Sequence, residues 1–115
     1  MLTYQPARVL HIYANSTDQW GGRPLYSAII QKCLQLGVAG ATAFRSFEGY
    51  GAHHRLHTAR LLSLSEDLPV RIEVIDTADA IDRLLAALGD MLRPTLITVS
   101  DVQVGRYQPL VAPSP

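Results

Sequence analysis

The chain has 115 residues, which is enough for one domain with its own hydrophobic core and too few for two. Its 10 basic and 10 acidic side chains cancel, so no net charge draws it toward nucleic acid or anionic lipid. No apolar run approaches the roughly 20 residues of a membrane span, and the N-terminus lacks a signal-peptide layout, which predicts a cytoplasmic protein without direct membrane insertion.

The first predicted elements are a strand and a helix. Residues 9–13 form a mostly apolar run that predicts the strand, and a polar group followed by Gly21 and Gly22 ends it. The helix is expected to begin at Pro24, which suits a first helical position, and to end at Gly37. Its apolar face would be formed by Leu25, Ile29, Cys33 and Leu36, or alternatively by Ile30 and Leu34. Cys33 is the only cysteine and is expected in the core.

The middle of the chain predicts two more strands. Residues 39–48 alternate in polarity, as a half-buried strand does. The clearest alternation begins at Leu68, with Val70, Ile72 and Val74 on one face and Arg71 and Glu73 on the other. One face of this strand should therefore be buried and the other should not.

A second helix and a last strand follow. Asp76 and Thr77 are suitable caps, and Asp79 and Asp82 fall in the first turn, where the helix dipole favours anions. An apolar stripe at helical spacing is formed by Ile81, Leu84, Leu85, Leu88 and Leu92. Residues 95–102 predict the last strand. Prolines at 109, 113 and 115 predict that the tail from Gly105 stays out of a central strand and has a mobile end.

The order β-α-β-β-α-β predicts an α+β fold, the ferredoxin-like sandwich in which two helices cover one face of a four-stranded antiparallel sheet. The uncovered face would carry Arg71 and Glu73, with Arg45 or Thr42 from the second strand. A solvated surface and a subunit contact are both compatible with that pattern.

The stretch "FEGYGAHHRLH" at residues 47–57 raises a metal hypothesis. His53, His54 and His57 form H-H-x-x-H, and on a helix His53 and His57 would share a face in a geometry used for zinc or nickel. No Asp, Glu or Cys within the motif completes such a site. Histidines that face solvent or donate hydrogen bonds are therefore the preferred interpretation, and a metal-binding protein is the alternative. His11, alone in a strand, is expected to be structural.

The same stretch raises a phosphate hypothesis. Gly49-Tyr50-Gly51 departs from the spacing of a P-loop and of a dinucleotide fingerprint. Its glycines would either free the backbone to leave the strand or bring amides close to an anion, with Arg45, Arg55 and Arg60 nearby in sequence. No serine has a nucleophile-elbow context and the helical aspartates suit caps, so we expect no enzyme.

Several motifs together resemble a known family. "GVAGAT" at residues 37–42, "FEGYG" at 47–51 and "HT" at 57–58 resemble the nitrogen-regulatory PII signalling proteins. "PLY" at 24–26, "GAT-x-x-R" at 40–45, "HTARLL" and "LSEDLPVRIEVID" more closely resemble the PII-like family known as domain of unknown function 190. The resemblance spans nearly all of residues 8–104. It divides the chain into a PII-like domain, residues 1–104, and a proline-containing tail, residues 105–115.

This resemblance implies a regulatory homotrimer without a required cofactor. An effector such as an adenine nucleotide would bind in clefts between subunits, at the base of a T-loop-like segment, residues 50–66. That segment would relay the bound state to a target protein such as a membrane transporter, and the uncovered sheet face would become a subunit contact. The implied ligand-binding residues are Thr42, Arg45, Gly49, Tyr50, Gly51, His57 and Arg93.

The turn after the second helix departs from the PII pattern. PII proteins carry a Gly-rich, Lys-containing loop there, whereas residues 89–94 read "GDMLRP" and hold Arg93 as their only base. Arg106 lies close to the place of the arginines that PII proteins carry beyond the last strand. Because charge-assisted contacts are fewer, a less charged nucleotide, a cyclic nucleotide or another small anion are the alternatives to a triphosphate.

Overall fold

The computed structural model describes residues 1–51, 56–58 and 67–109. Within these ranges the four long strands are β1 (Leu2–Asn15), β2 (Ala41–Arg45), β3 (Pro69–Asp76) and β4 (Leu96–Tyr107). The two α-helices are α1 (Leu25–Gln35) and α2 (Ala78–Leu88), and a 3-10 helix, Gly89–Leu92, follows α2 directly. Two short antiparallel ladders pair Gln19–Trp20 with Arg23–Pro24 and Glu48–Gly49 with His57–Thr58.

The long strands form one antiparallel sheet in the order β2-β3-β1-β4. Helix α1 packs over β2 and β3, and α2 packs over β1 and β3. Both helices therefore cover the same face, which confirms the predicted ferredoxin-like sandwich.

The core lies between the helices and alternate residues of the two central strands. On β3 these residues are Val70, Ile72 and Val74, as the alternation predicts, and β1 contributes Leu10, Ile12 and Ala14. The helices contribute Leu25, Ala28, Ile29, Cys33, Ile81, Leu84 and Leu88. Of the first predicted face of α1, Leu25, Ile29 and Cys33 are buried and Leu36 is 48% exposed. Of the alternative face, Ile30 packs partly against the core and Leu34 is 81% exposed.

The helix ends follow the predicted signals closely. The Ala80 backbone N–H donates to Thr77 Oγ1 at 3.2 Å and caps α2. Gly37, with φ of 70°, follows α1, and Gly89, with φ of 50°, ends α2. Pro24 lies immediately before α1 rather than in its first turn. Among the described residues no helix is both long and apolar enough to cross a membrane.

Strands β1 and β4 are longer than predicted. They pair continuously from Leu2 opposite Tyr107 to Tyr13 opposite Leu96, so the tail begins after Tyr107 rather than at Gly105. Neither helix packs over residues 2–7 or 102–107 closely enough to bury them, and without burial the sequence shows no clear alternation there. Residues 110–115, for which a mobile end was predicted, lie outside the described residues.

Candidate functional site

Pro69 lies at the end of the sheet from which the loop of residues 50–66 departs. On one side it pairs with Asn15, the last residue of β1. The next residues close that side, because Ser16 N–H donates to the Leu68 carbonyl at 2.8 Å and Leu68 N–H donates to Ser16 Oγ at 2.9 Å. The first residues of β3 are thus held firmly against the end of β1.

On its other side Pro69 holds the root of the loop. Ser46 donates twice to the Pro69 carbonyl, from its backbone N–H at 3.0 Å and from Oγ at 2.8 Å. Gly49 then approaches the proline ring so closely that a Cβ at position 49 would lie 3.3 Å from Pro69 Cγ. Neither Gly49 nor Gly51 has a positive φ. Close approach, rather than an unusual backbone conformation, is therefore the structural reason for glycine at 49.

A two-residue ladder fixes the position of the loop relative to this root. Glu48 pairs with Thr58 and Gly49 with His57, and Thr58 Oγ1 donates to Glu48 Oε1 at 2.9 Å. The backbone of two predicted site residues, Gly49 and His57, is thus brought together. Tyr50 and Gly51 follow the ladder and are exposed. The loop segments 52–55 and 59–66, which include Arg55 and Arg60, lie outside the described residues.

The two predicted site arginines with described side chains lie at the same end of the sheet but at opposite edges. Arg45 is the last residue of β2, and Arg93 lies three residues before β4, which begins opposite Tyr13. Strands β3 and β1 lie between them, so the two edges are about 14 Å apart at a strand spacing of about 4.8 Å. Arg93 pairs with Asp90 at 3.1 Å on the surface, whereas Arg45 has no described ion pair or hydrogen bond.

The register decides which residues of β2 face away from the helices. Thr42 pairs with Glu73 and Phe44 with Arg71, whereas Arg45 pairs with the buried Val70. Thr42 and Phe44 therefore lie on the uncovered face, and Arg45 lies on the helix side. Of the two residues predicted for that face, Thr42 is the one found there.

The uncovered face carries both apolar and charged groups. His11 Nε2 lies 2.9 Å from Glu73 Oε1, and the Arg71 guanidinium lies 4.7 Å from the centre of the Phe44 ring. Arg71 Nε is buried and has no hydrogen-bond partner among the described residues. A buried charged donor without an acceptor is costly, so this face is not a simple solvated surface.

Cys33 is a core residue, as predicted. It is 2% exposed, and burial raises the pKa of its thiol to about 11. The thiol therefore stays protonated at neutral pH, which removes the thiolate that nucleophilic or redox chemistry requires.

The metal hypothesis stays a prediction. Within the described ranges there is no group of three or more His, Cys, Asp or Glu residues that could hold a metal ion. His53 and His54 lie outside those ranges, and only the backbone of His57 is described.

One feature of this end of the sheet was missed from the sequence. Residues 19–24 form a tight hairpin around Gly21 and Gly22, and it places Trp20 opposite Arg23 immediately before α1. The Gly-Gly pair between two short runs is a known hairpin signal and could have identified it.

Residues 7–104 match the model of the family DUF190, described as "Uncharacterized ACR, COG1993". The chain belongs to the DUF190 family. A UPF0166 protein of Aquifex aeolicus (strain VF5) is 32% identical over 97 residues, covering 84% of this chain and 91% of that protein. UPF0166 protein MJ1524 of Methanocaldococcus jannaschii is 31% identical over 99 residues, covering 85% and 91%.

The fold of this DUF190 protein is similar to that of a PII-like protein. CPII from Thiomonas intermedia K12, solved bound to ADP and bicarbonate, superposes with a TM-score of 0.68 over 90% of this chain and 93% of its own. The two sequences are 20% identical, so the similarity establishes the PII-like fold alone. The resemblance inferred from the sequence motifs is thereby confirmed at the level of family and fold.

Proposed function

We propose that this DUF190 protein is a regulatory protein that binds an adenine nucleotide between the subunits of a homotrimer and catalyses no reaction. The PII-like fold supports this proposal, as does CPII, a protein of the same fold that binds ADP. Under this proposal Arg45, Arg93 and the root of the loop form the effector site.

The placement of Arg45 and Arg93 carries the proposal. A nucleotide at the end of the sheet of one chain would have to cross β3 and β1 to contact both side chains. If the β2 edge of one subunit lies beside the β4 edge of the next, both arginines reach one ligand. A closed ring of identical subunits repeats that contact at every interface.

The uncovered sheet face supports a subunit contact in this ring. One cross-strand row on this face contains Arg71 and three exposed residues with large apolar groups, which are Phe44, Tyr13 and Leu96. Packing a neighbouring subunit onto this row would bury the apolar side chains, which stabilises an assembly by about 25 cal/mol per Å² of apolar area. The neighbour would also supply an acceptor for Arg71 Nε, which has none among the described residues.

The loop of residues 50–66 is the proposed relay. Because its ladder is held against Ser46 and Pro69, a ligand that contacts the loop root would favour one arrangement of the loop over others. We propose that a target protein, such as a membrane transporter, binds one of these arrangements. Within the loop, Tyr50 and His57 carry side chains that are predicted to contact the ligand.

Calorimetric titration with ADP tests the proposal. Wild-type protein should bind ADP, and Arg45→Gln and Arg93→Gln should each lose a charge-assisted contact and bind about 10- to 100-fold more weakly. Arg83→Gln is the matched control, because Arg83 is exposed near Asp76, at the opposite end of the sheet. A wild-type protein that releases no heat with ADP, or equal losses in all three variants, would overturn the proposal.

A further inference from the structure

The hairpin of residues 19–24 carries an aromatic residue opposite a cationic one. Trp20 and Arg23 pair directly across its two strands. Gly21 and Gly22 form the turn with φ of 58° and 81°, a combination that L side chains rarely adopt. A Cβ at either glycine would meet no atom of the described part of the chain within 4 Å, so backbone conformation is what requires these glycines.

The hairpin is anchored at its base and along one side. Asp18 Oδ2 accepts from Asn15 N–H at 3.0 Å, and the Asp18 carbonyl accepts from Leu25 N–H at 2.7 Å. Arg23 Nη1 also donates to Gln31 Oε1 on α1. The backbone of the hairpin is therefore held in place before any ligand arrives, which lowers the entropy that binding would cost.

Packing does not account for Trp20. Its side chain is 43% exposed and is not part of the buried core. Tryptophan is highly buried on average, and exposed tryptophans and arginines are enriched among residues that dominate binding energy. Trp20 is also the only tryptophan in the chain.

The hairpin lies at the same end and on the same side of the sheet as Arg45. It leads directly into α1, which packs over β2 and β3, and α1 begins at the end of the sheet where β2 finishes. Arg45 is the last residue of β2 and is on the helix side. The hairpin and Arg45 thus belong to one corner of the molecule, next to the loop root.

We propose that Trp20 stacks on the base of the bound adenine nucleotide and that Arg23 donates to one of its phosphates. This inference rests on the proposed function and adds the residues that select a base rather than a bare anion. One aromatic residue paired across the hairpin with one arginine matches a single base-phosphate unit. A protein partner would need about 800 Å² of contact surface, which a six-residue hairpin does not offer by itself.

Because Trp20 is the sole tryptophan, its fluorescence tests the inference directly. ADP should quench the emission of the wild-type protein, and the quenching should saturate with the dissociation constant found by calorimetry. Trp20→Ala should bind ADP about 5- to 150-fold more weakly, which is the usual effect of removing one base-stacking ring. Trp20→Phe, which keeps a ring, should fall between the two.

Tyr107→Ala is the matched control, since Tyr107 is a 73% exposed aromatic residue at the far end of β4, and it should bind ADP as the wild type does. If wild-type protein binds ADP calorimetrically without a change in fluorescence, and Trp20→Ala binds equally well, the inference is overturned and the proposed function stands. If wild-type protein does not bind ADP, both are overturned. Should Trp20→Ala fail to fold, the wild-type fluorescence titration decides alone.

Discussion

Gly49 lies against Pro69, with room for a hydrogen but only 3.3 Å between Pro69 Cγ and a Cβ at position 49. The same proline accepts both hydrogen bonds of Ser46 through its carbonyl. The loop root is therefore packed against the first residue of β3, and Gly49 does not act as a free hinge. A change in the loop would have to move this contact or begin beyond it.

The first prediction separates the two glycines of the "GYG" motif. Gly49→Ala should lower the free energy of unfolding by about 1 kcal/mol, since the new methyl group overpacks the contact with Pro69, and should weaken ADP binding. Gly51→Ala should leave stability within about 0.5 kcal/mol of wild type, because a Cβ there meets no atom of the described residues within 4 Å. Urea unfolding and ADP titration of both variants provide the measurement. Equal effects of the two substitutions would contradict the packing role of Gly49.

The sequence predicted the layers of the fold well and the faces of β2 poorly. On β3 the contrast between Val70, Ile72, Val74 and the charged residues between them fixes which side is buried. On β2 the helix-side residues Ala41 and Ala43 are small, so hydrophobicity alone does not distinguish the faces. A shift of one residue reverses every side chain, and only the pairing with β3 determines the register.

The candidate site was predicted as a set of residues but not as an arrangement. Arg45 and Arg93 were both predicted to bind the ligand. Their separation across the sheet follows from the strand order, which no local sequence pattern encodes. Trp20 is absent from the predicted site because Gly21 and Gly22 indicate the end of a strand as readily as they indicate a hairpin turn. The pairing of Trp20 with Arg23 in the structure shows that these glycines form a hairpin turn.

The second prediction concerns the uncovered face. Phe44→Asp should dissociate the proposed trimer, because it places a carboxylate in the apolar row of a subunit contact and removes the ring that Arg71 covers. Loss of the cation-π contact alone should lower monomer stability by only about 0.5 to 1 kcal/mol, so the variant should still fold. Leu34→Asp is the control, since Leu34 is exposed on the outer side of α1. Sedimentation that finds Phe44→Asp in the same assembly as Leu34→Asp would remove this face from the interface.

The third prediction follows from the protonated thiol of Cys33. Burial raises its pKa from 9.0 to about 11 in the folded chain, so below about pH 9 the folded and unfolded states both hold the proton. Between about pH 9 and about pH 11 the unfolded state loses the proton and the folded state keeps it. Stability contributed by this group is therefore present below pH 9 and falls by about 2 to 3 kcal/mol as pH rises through that window.

Cys33→Ala is the control for the pH dependence. Every other ionisable group is present in both proteins, so the difference between the two stability profiles isolates Cys33. Urea unfolding at about pH 8 and about pH 11 should show a smaller decline for Cys33→Ala than for the wild type, whatever the cost of the substitution at the lower pH. Parallel profiles would show that the thiol does not resist ionisation in the folded protein.

The last prediction tests whether one effector site uses arginines from two subunits. Arg45→Gln and Arg93→Gln proteins should each bind ADP weakly as pure assemblies. When they are unfolded, mixed in equal amounts and refolded together, about a quarter of the interfaces should join an intact Arg45 to an intact Arg93, because each partner is drawn with even odds. Those interfaces should regain wild-type affinity, and calorimetry should find about a quarter of the sites tight. A mixture of Arg45→Gln protein with itself, treated identically, should regain none. If the mixed assemblies also regain no tight sites, the two arginines act within one chain or on different ligands. The proposal that one ligand contacts arginines of two subunits would then be wrong.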